Sequence, residues 1–261
     1  MFIAPKDWAL QAVHASAGLQ SAGHSVWNAA MTETIKPGAT ETGEPTRKSR
    51  SAVQSLRDIA YETIKRQIIT CELRPGEVLS EAVLSDTLQI GRTPVRQAID
   101  RLVTSGLVDV MPRKGLMVKP ITFDEIFDII EARLINESHC ARRAALQADD
   151  NEIARLTANV SAMWKATEGA DIDTMMDLDR EFHSIISRAA RNHVITEILA
   201  NLHDRSTRLW FISLRAIEQH VRVGEQHAAI VEGIRKRDPD AAEAAIRAHI
   251  ESFRDNLSRQ I

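Results

Sequence analysis

Between residues 56 and 105, apolar side chains recur three or four positions apart, the spacing of one face of an α-helix. This period predicts a first helix from Leu56 to about Thr70, after which Pro75-Gly76 marks a turn. A second helix, over about residues 81–88, is predicted after Ser80, which can accept a backbone hydrogen bond as its N-cap. Its expected inner face is Val83, Leu84 and Leu88.

A third helix is predicted from Pro94 to about Ser105, with Thr93 as its cap and Gly106 ending it. Its inward residues are expected to be Val95, Ile99 and Leu102. Two short runs rich in β-branched residues, 107–110 and 116–118, then flank the sequence PRKG and predict a hairpin with a basic tip. Helix, helix, tight turn, helix and hairpin is the order of a winged helix-turn-helix.

Burial of the inner face turns the polar residues at the start of the third helix outward. These residues are Arg92, Thr93, Arg96 and Gln97. In helix-turn-helix proteins this end enters the major groove, where Arg can pair with guanine and Gln with adenine. The hairpin tip adds Arg113, Lys114 and Gly115, which can contact phosphates or an adjacent minor groove. The pattern alone also allows a basic helix that binds protein instead of DNA.

From residue 121 onward the apolar pattern is helical and shows no strand alternation. Thr122 and Glu125 have the spacing of a capping box, and the first apolar face is expected to be Ile126, Ile129, Ile130, Leu134 and Ile135. Further helices are predicted at about 150–168, 172–191, 193–216, 219–237 and 239–258, with Asp238 capping the last. The predicted fold is therefore mainly α: an N-terminal winged helix-turn-helix with a small β-hairpin wing, and a C-terminal antiparallel all-α bundle.

Composition divides the chain into three predicted regions. Residues 1–50 are rich in Ser, Thr, Ala and Gly and are expected to form a poorly ordered tail, within which Met31 is a candidate true start. Residues 51–120 carry 10 Lys/Arg against 8 Asp/Glu, whereas residues 121–261 carry 18 against 24. A basic module joined to an acidic one favours nucleic-acid binding by the first, although the whole chain has a net charge of −3.

The two cysteines and the hydropathy indicate in which cellular compartment the protein is expected. Cys71 and Cys140 show no metal-binding spacing and are expected to be buried thiols in a reducing, cytoplasmic environment, with a disulfide as the alternative. No run of 18 apolar residues occurs, so no membrane span is expected.

One polar pair in the C-terminal half raises a question of metal binding. Asp179 and His183 lie one helical turn apart and border the apolar side of their helix, as His227 and His249 border theirs. Taken alone, the first pair is ordinary on a helix surface. If all four groups converge in the bundle, they suit a divalent ion, because burying them without one is costly. Four other histidines have no partner in spacing and are interpreted as satisfied or solvent-facing: His139, His193, His203 and His220.

The segment LRPGEVLSEAVLSDTLQIGRTPVRQAIDRLVTSGLVDVMPRKGLMV resembles the DNA-binding domain of GntR-family transcription regulators. The PG turn, RTPVR, RL…GLV and the P-R-x-G wing occur in the family's order over about 65 residues. Gln89-Ile90-Gly91 replaces the usual Gly-Val-Ser, Gln97 replaces Glu, and Ala82 stands where some members have a DNA-contacting arginine. These departures leave the domain's identity intact, but the operator sequence does not carry over from the resemblance.

The C-terminal half resembles the FCD ligand-binding domain of the FadR subfamily of these regulators. The resemblance implies a divalent ion, Zn first and Ni, Mn or Fe as alternatives, held by Asp179, His183, His227 and His249. It also implies a small organic acid as effector, with Arg133 facing it, although an ion pair between Arg133 and Glu137 is an alternative role. A homodimer that binds a palindromic operator in double-stranded DNA is expected as well.

Two other function classes are compatible with the residues alone. A metal-dependent hydrolase can use a His3Asp site to activate water, although no separate general base stands at a telling position. A helical interaction protein with fortuitous histidines is the third possibility. The hydrolase alternative also leaves the fused DNA-binding module unexplained.

Overall fold

A computed structural model describes residues 54–112, 115–213 and 217–260, without the side chains at 123, 209–213, 217–219 and 259–260. The predictions for the tail 1–50, for Met31, and for Arg113 and Lys114 lie outside these residues. Residues 54–261 group as one compact unit. Within the described part, no helix is long and apolar enough to cross a membrane.

The N-terminal part has the winged helix-turn-helix order. Its elements are α1 (Leu56–Ile69), β1 (Val78–Leu79), α2 (Glu81–Leu88), α3 (Arg92–Thr104), β2 (Val108–Met111) and β3 (Gly115–Val118). The strands form an antiparallel sheet in the order β1-β3-β2. Ser80 caps α2, as predicted, by accepting a hydrogen bond from the backbone N–H of Val83. Gly76, with φ of 82°, supplies the left-handed turn that leads into β1.

Three details of this part differ from the predictions. α3 begins at Arg92 after Gly91, which has no capping side chain, so Thr93 and Pro94 lie inside the first turn and not at the cap and first helical position. The two-residue β1 was not predicted, since it is too short to show a period of two. Val83, expected to face inward, is 61% exposed.

The C-terminal part is an all-helical bundle, as predicted. Its helices are α4 (Phe123–Gln147), α5 (Asp150–Glu168), α6 (Ile172–Ala189), α7 (His193–Ser213), α8 (Ile217–Arg235) and α9 (Pro239–Gln260). Asp238 caps α9 by accepting from the N–H groups of Asp240 and Ala241. Ile135, predicted to face inward, is 63% exposed. The capping box at Thr122 is only half formed, because the Glu125 side chain turns to Lys119 and Arg205.

Each of the two parts is stabilised by its own cluster of buried hydrophobic side chains. One joins α1, α2, α3 and the sheet around Ile64, Ile99 and Leu102; the other fills the bundle around Phe182 and Ile230. Helices α8 and α9 approach very closely, since a Cβ at Gly233 would lie 2.7 Å from the backbone N of Ala242. Both cysteines are free, but Cys71 is only partly buried, contrary to expectation. The predicted division of the chain at residue 120 stays a prediction.

Candidate metal centre and nucleic-acid interface

The bundle brings together the four residues that the sequence proposed as metal ligands. Asp179 and His183 lie one turn apart on α6, His227 lies on α8 and His249 on α9. One potential ligand atom from each lies within 4.8 Å of the others. All three imidazoles are buried, with exposures of 2%, 0% and 6%. Residues up to 70 positions apart therefore converge in one buried polar cluster, called the His3Asp cluster below.

The distances fit a small divalent ion. The Nε2 atoms of His183 and His227 lie 3.8 and 3.4 Å from Oδ1 of Asp179. Ligands at about 2.0–2.1 Å from a tetrahedral zinc ion are separated from each other by roughly 3.3 Å, so little movement is needed. Both ring nitrogens of His227 are buried and have no hydrogen-bond partner among the described residues. Burying a polar atom without a hydrogen-bond partner costs free energy unless another group, such as a metal ion, satisfies it.

The protonation states of the cluster also suit coordination. Burial, together with the neighbouring imidazoles, holds the pKa of His227 and of His249 well below the usual value for histidine, so both rings are neutral near pH 7. A neutral imidazole has the free lone pair that a metal requires. Burial raises the pKa of the Asp179 carboxyl, and a nearby cation would favour its charged form.

Packing and hydrogen bonds fix the orientation of the rings. The Phe182 ring stacks on that of His227, with centroids 3.9 Å apart and planes within 4°. Nδ1 of His249 lies 3.0 Å from Oε1 of Gln226, which leaves its Nε2 for the cluster. Nδ1 of His183 lies 2.6 Å from Oε2 of Glu137. A carboxylate behind a metal-ligating histidine fixes its tautomer and increases its basicity.

A second buried polar group adjoins the first and was missed by the sequence analysis. Oε1 of Glu137 accepts a hydrogen bond from Nε of Arg133 at 2.6 Å and lies 3.3 Å from Nε2 of His203. Nη1 of Arg133 also donates to Ser206. His203 is thus a partner of Glu137 and not an isolated histidine. No local spacing could reveal this, because the two residues lie 66 positions apart on different helices.

Charge in this second group is balanced internally. Burial by itself would raise the pKa of Glu137, but the Arg133 guanidinium and the adjacent histidines hold it well below its usual range. Burial and Arg133 lower the pKa of His203 to about 3. Glu137 is therefore ionised and His203 neutral, and Arg133 supplies the compensating charge. The ion pair of Arg133 with Glu137, one of its two predicted roles, is present.

The predicted DNA-reading residues of α3 that the structure describes are all exposed: Arg92, Thr93, Arg96 and Gln97. They lie in the first two turns, while Val95, Ile99 and Leu102 on the opposite face are at most 1% exposed. Arg96 pairs with Glu81 of α2, with Nη2 3.0 Å from Oε2, yet 69% of its side chain remains exposed. Gly115, at the start of β3, is exposed and has φ of 89°, a conformation that favours glycine.

One helix of the bundle holds the winged helix-turn-helix in place. On α7, the Asn201 amide donates to the backbone oxygen of Ser105, and Arg208 donates to that of Lys119 at 2.7 Å. Asp204, between them, lies 3.5 Å from the buried ammonium of Lys65 on α1. The adjacent His203 faces Glu137, so neighbouring residues of α7 contact the polar interior of the bundle and the N-terminal domain.

Two protein families match this chain in succession. Residues 56–118 match "Bacterial regulatory proteins, gntR family", and residues 128–252 match the FCD domain. The two matched ranges correspond to the winged helix-turn-helix and to most of the helical bundle.

Curated relatives with regulatory names align with most of the chain. The HTH-type transcriptional repressor RspR of Escherichia coli K12 is 28% identical over 208 residues, which cover 80% of this chain and 91% of the relative. The Nta operon transcriptional regulator of Aminobacter aminovorans is 29% identical over 72% of this chain and 88% of its own length. The HTH-type transcriptional repressor NanR of Cronobacter sakazakii is 29% identical over 77% and 85%.

Solved structures share the fold. E. coli McbR/YncC superposes with a TM-score of 0.72 and 19% identity, covering 79% of this chain and 98% of its own. A GntR regulator from Rhodococcus sp. RHA1 superposes with a TM-score of 0.66 and 19% identity, covering 77% and 97%. The predicted fold class is confirmed by this likeness.

Proposed function

Because the chain belongs to the GntR family of transcription regulators and carries an FCD domain, we propose that a small organic acid controls its affinity for DNA from a metal-containing site in the bundle. The family and the relatives are those of regulators and not of enzymes, so the hydrolase alternative falls away.

The observation that carries the metal proposal is the His3Asp cluster itself. Three buried imidazoles and one carboxylate place ligand atoms within 4.8 Å of one another. Among the described residues, neither ring nitrogen of His227 has a hydrogen-bond partner, and Nε2 of His183, the nitrogen not facing Glu137, has none either. A borderline divalent ion, with Zn as first choice and Ni, Mn or Fe as alternatives, accepts this set of ligands.

A divalent ion with four protein ligands retains positions for a carboxylate oxygen when it is five- or six-coordinate, and it would supply Lewis-acid binding there. Arg133 supports the other end of such a ligand. Its guanidinium carries five N–H donors, and among the described residues their partners are Glu137 and Ser206. An arginine already held in place by a buried carboxylate loses little conformational entropy when it binds a second one.

The route from this site to DNA runs through α7 and the segment 118–126. Arg205 of α7 pairs with Glu125 at the start of α4, and Arg208 holds the backbone of Lys119. A ligand that repacks the bundle would move this segment and, in a homodimer, change the spacing of the two winged helices on a palindromic operator. Such control requires that the acid bind one arrangement more tightly than the other.

Elemental analysis of the purified full chain tests the metal directly, with His227→Ala compared with His139→Ala. His139 lies on an exposed face of α4, outside the cluster. We expect one divalent ion per chain in the wild type and in His139→Ala, and almost none in His227→Ala. A metal-free wild type after reconstitution with Zn, Ni, Mn and Fe would overturn the proposal.

Titrating candidate organic acids against the operator complex tests the effector. The duplex is the one that the wild-type protein enriches from a random library. We expect at least one metal-competent acid to change the operator affinity about tenfold or more in the wild type and not in Asp179→Asn. If no acid changes it in metal-loaded protein, the metal is purely structural.

A further inference from the structure

A cavity between α6 and α7 lies apart from the His3Asp cluster. Its volume is about 160 Å³, room for roughly five water molecules. The polar residues that line it are Arg180, Ser184, Ser187, Arg188, Thr196 and His203. Among the described residues, none of the four predicted metal ligands contributes to its wall. Among the described lining residues, His203 is the one that also contacts Glu137 in the polar interior of the bundle.

The wall of this cavity is suited to a negatively charged ligand. It combines two guanidinium groups with three hydroxyls and, among the described residues, no carboxylate. Arg188 is exposed and makes no ion pair or side-chain hydrogen bond with any described residue. The hydroxyls of Ser187 and Thr196 already donate to backbone oxygens, whereas that of Ser184 makes no hydrogen bond with a described residue. An unpaired arginine beside a free hydroxyl is the usual chemistry for binding a carboxylate or a phosphate.

The second arginine connects the cavity to the DNA-binding domain. Nη2 of Arg180 lies 2.5 Å from Oδ1 of Asp204 on α7. The other oxygen of this carboxylate lies 3.5 Å from the ammonium of Lys65, whose side chain is 5% exposed. Arg180, Asp204 and Lys65 thus form a chain from the cavity wall to α1. An anion that attracts Arg180 into the cavity competes directly with Asp204 for it.

We propose that this cavity binds a small oxyanion, a phosphate or a short carboxylate, and that its occupation weakens the Arg180–Asp204 contact that helps to hold the winged helix-turn-helix. Arg188 recognises the anion, and Arg180 couples its binding to the junction. The site is independent of the proposed metal centre. In this proposal, an anion in the cavity loosens the N-terminal domain and thereby lowers the affinity for operator.

Calorimetric titration of the full chain, stripped of metal by chelator dialysis, tests the site. The probes are inorganic phosphate and malonate, each at constant ionic strength set with chloride. The variants are Arg188→Gln and, as a matched control, Arg222→Gln, an exposed arginine of α8 without an ion pair among the described residues. We expect saturable binding of at least one probe, weakened about tenfold or more in Arg188→Gln and unchanged in Arg222→Gln.

Binding by one probe and not the other identifies the ligand as a phosphate or a carboxylate. Equal affinity in all three proteins, or no saturable binding up to millimolar concentrations, would overturn the site. Loss of binding in His227→Ala would place the anion at the His3Asp cluster and overturn it as well. Metal content does not enter this measurement, so a protein that binds no metal would refute the earlier proposal and leave this one standing.

Operator binding tests the coupling. With the duplex enriched by the wild-type protein, the probe that binds should reduce operator affinity threefold or more in the wild type and in Arg222→Gln. Arg188→Gln should not respond to the same probe concentration. An anion that binds the wild type with no effect on operator affinity would overturn the coupling through Arg180.

Discussion

An ion pair between an arginine and a glutamate occurs both at the exposed start of α3 and in the buried interior of the bundle. Arg96 pairs with Glu81 while 69% and 30% of their side chains remain exposed. Arg133 pairs with Glu137 with side-chain exposures of 8% and 3%. In water such a pair contributes about 0–1 kcal/mol, because solvent screens it and both side chains lose rotamer freedom. In the interior, separating the partners costs about 3–5 kcal/mol, because a buried charge is left alone.

This difference separates a pair that can exchange partners from one that fixes a structure. Arg96 can leave Glu81 for a guanine edge or a phosphate at small cost, as a DNA-reading residue must. Glu137 cannot leave Arg133 so easily, and it therefore holds His183 of the His3Asp cluster and the neighbouring His203 in fixed positions. The exposed Arg96 can therefore exchange its partner at small cost, whereas the buried pair keeps Glu137 and the two histidines in place.

The largest expected effect is on the buried pair. Glu137→Gln keeps the shape of the side chain but leaves Arg133 without its counter-charge, so the free energy of unfolding should fall by about 3–5 kcal/mol. Urea denaturation measures this fall. The affinity for metal should also drop about 10–100-fold, since the carboxylate behind His183 is lost. Stability within 1 kcal/mol of the wild type would show that the pair is no stronger than a surface pair.

The next effect concerns recognition of DNA. Arg96→Ala should weaken binding to the selected duplex by about 1–3 kcal/mol, the value of a bidentate contact to a base, with stability almost unchanged. Gel-shift or fluorescence titration at fixed salt measures it. Arg222→Ala, on the bundle, is the matched control. If both variants bind alike, the start of α3 does not read the duplex.

A substitution at the junction between α7 and α1 should have an intermediate effect on stability. Asp204 is 6% exposed and contacts both Lys65 and Arg180, so Asp204→Asn should lower stability by about 1–3 kcal/mol. The lower end is expected because Glu62 still lies 2.6 Å from Lys65. Thermal unfolding measures the loss, and proteolysis should cut the N-terminal domain faster. A fully stable variant would contradict the role of Asp204 in holding α1.

The smallest effect is expected at Glu81, the exposed partner of Arg96. Glu81→Gln removes the carboxylate from Arg96 and should change stability by less than about 1 kcal/mol. Operator affinity should stay equal or rise slightly, because Arg96 no longer has to leave an ion pair. Chemical denaturation and titration with the selected duplex measure both quantities. A loss of stability comparable to that of Glu137→Gln would abolish the contrast between the two pairs.

Much of the exposed interface could be predicted from local sequence. The helical period alone put Val95, Ile99 and Leu102 inside, and consequently Arg92, Arg96 and Gln97 outside. Two local predictions were wrong because another residue was available for the same role or the same contact. Gly91 and not Thr93 precedes α3, and Glu125, expected to close a capping box, instead pairs with Arg205 across the junction.

The sequence by itself determined the order of elements, the mainly helical class and the polar start of α3, because these depend on spacings of two to four residues along one chain. It also supplied the candidate ligands Asp179, His183, His227 and His249, through a resemblance and their place beside apolar stripes. Only the tertiary structure decided that these four meet, that Glu137 and His203 stand behind them, and that Asp204 reaches Lys65. Such contacts join residues tens of positions apart, and helix packing, which no local period encodes, sets their distances.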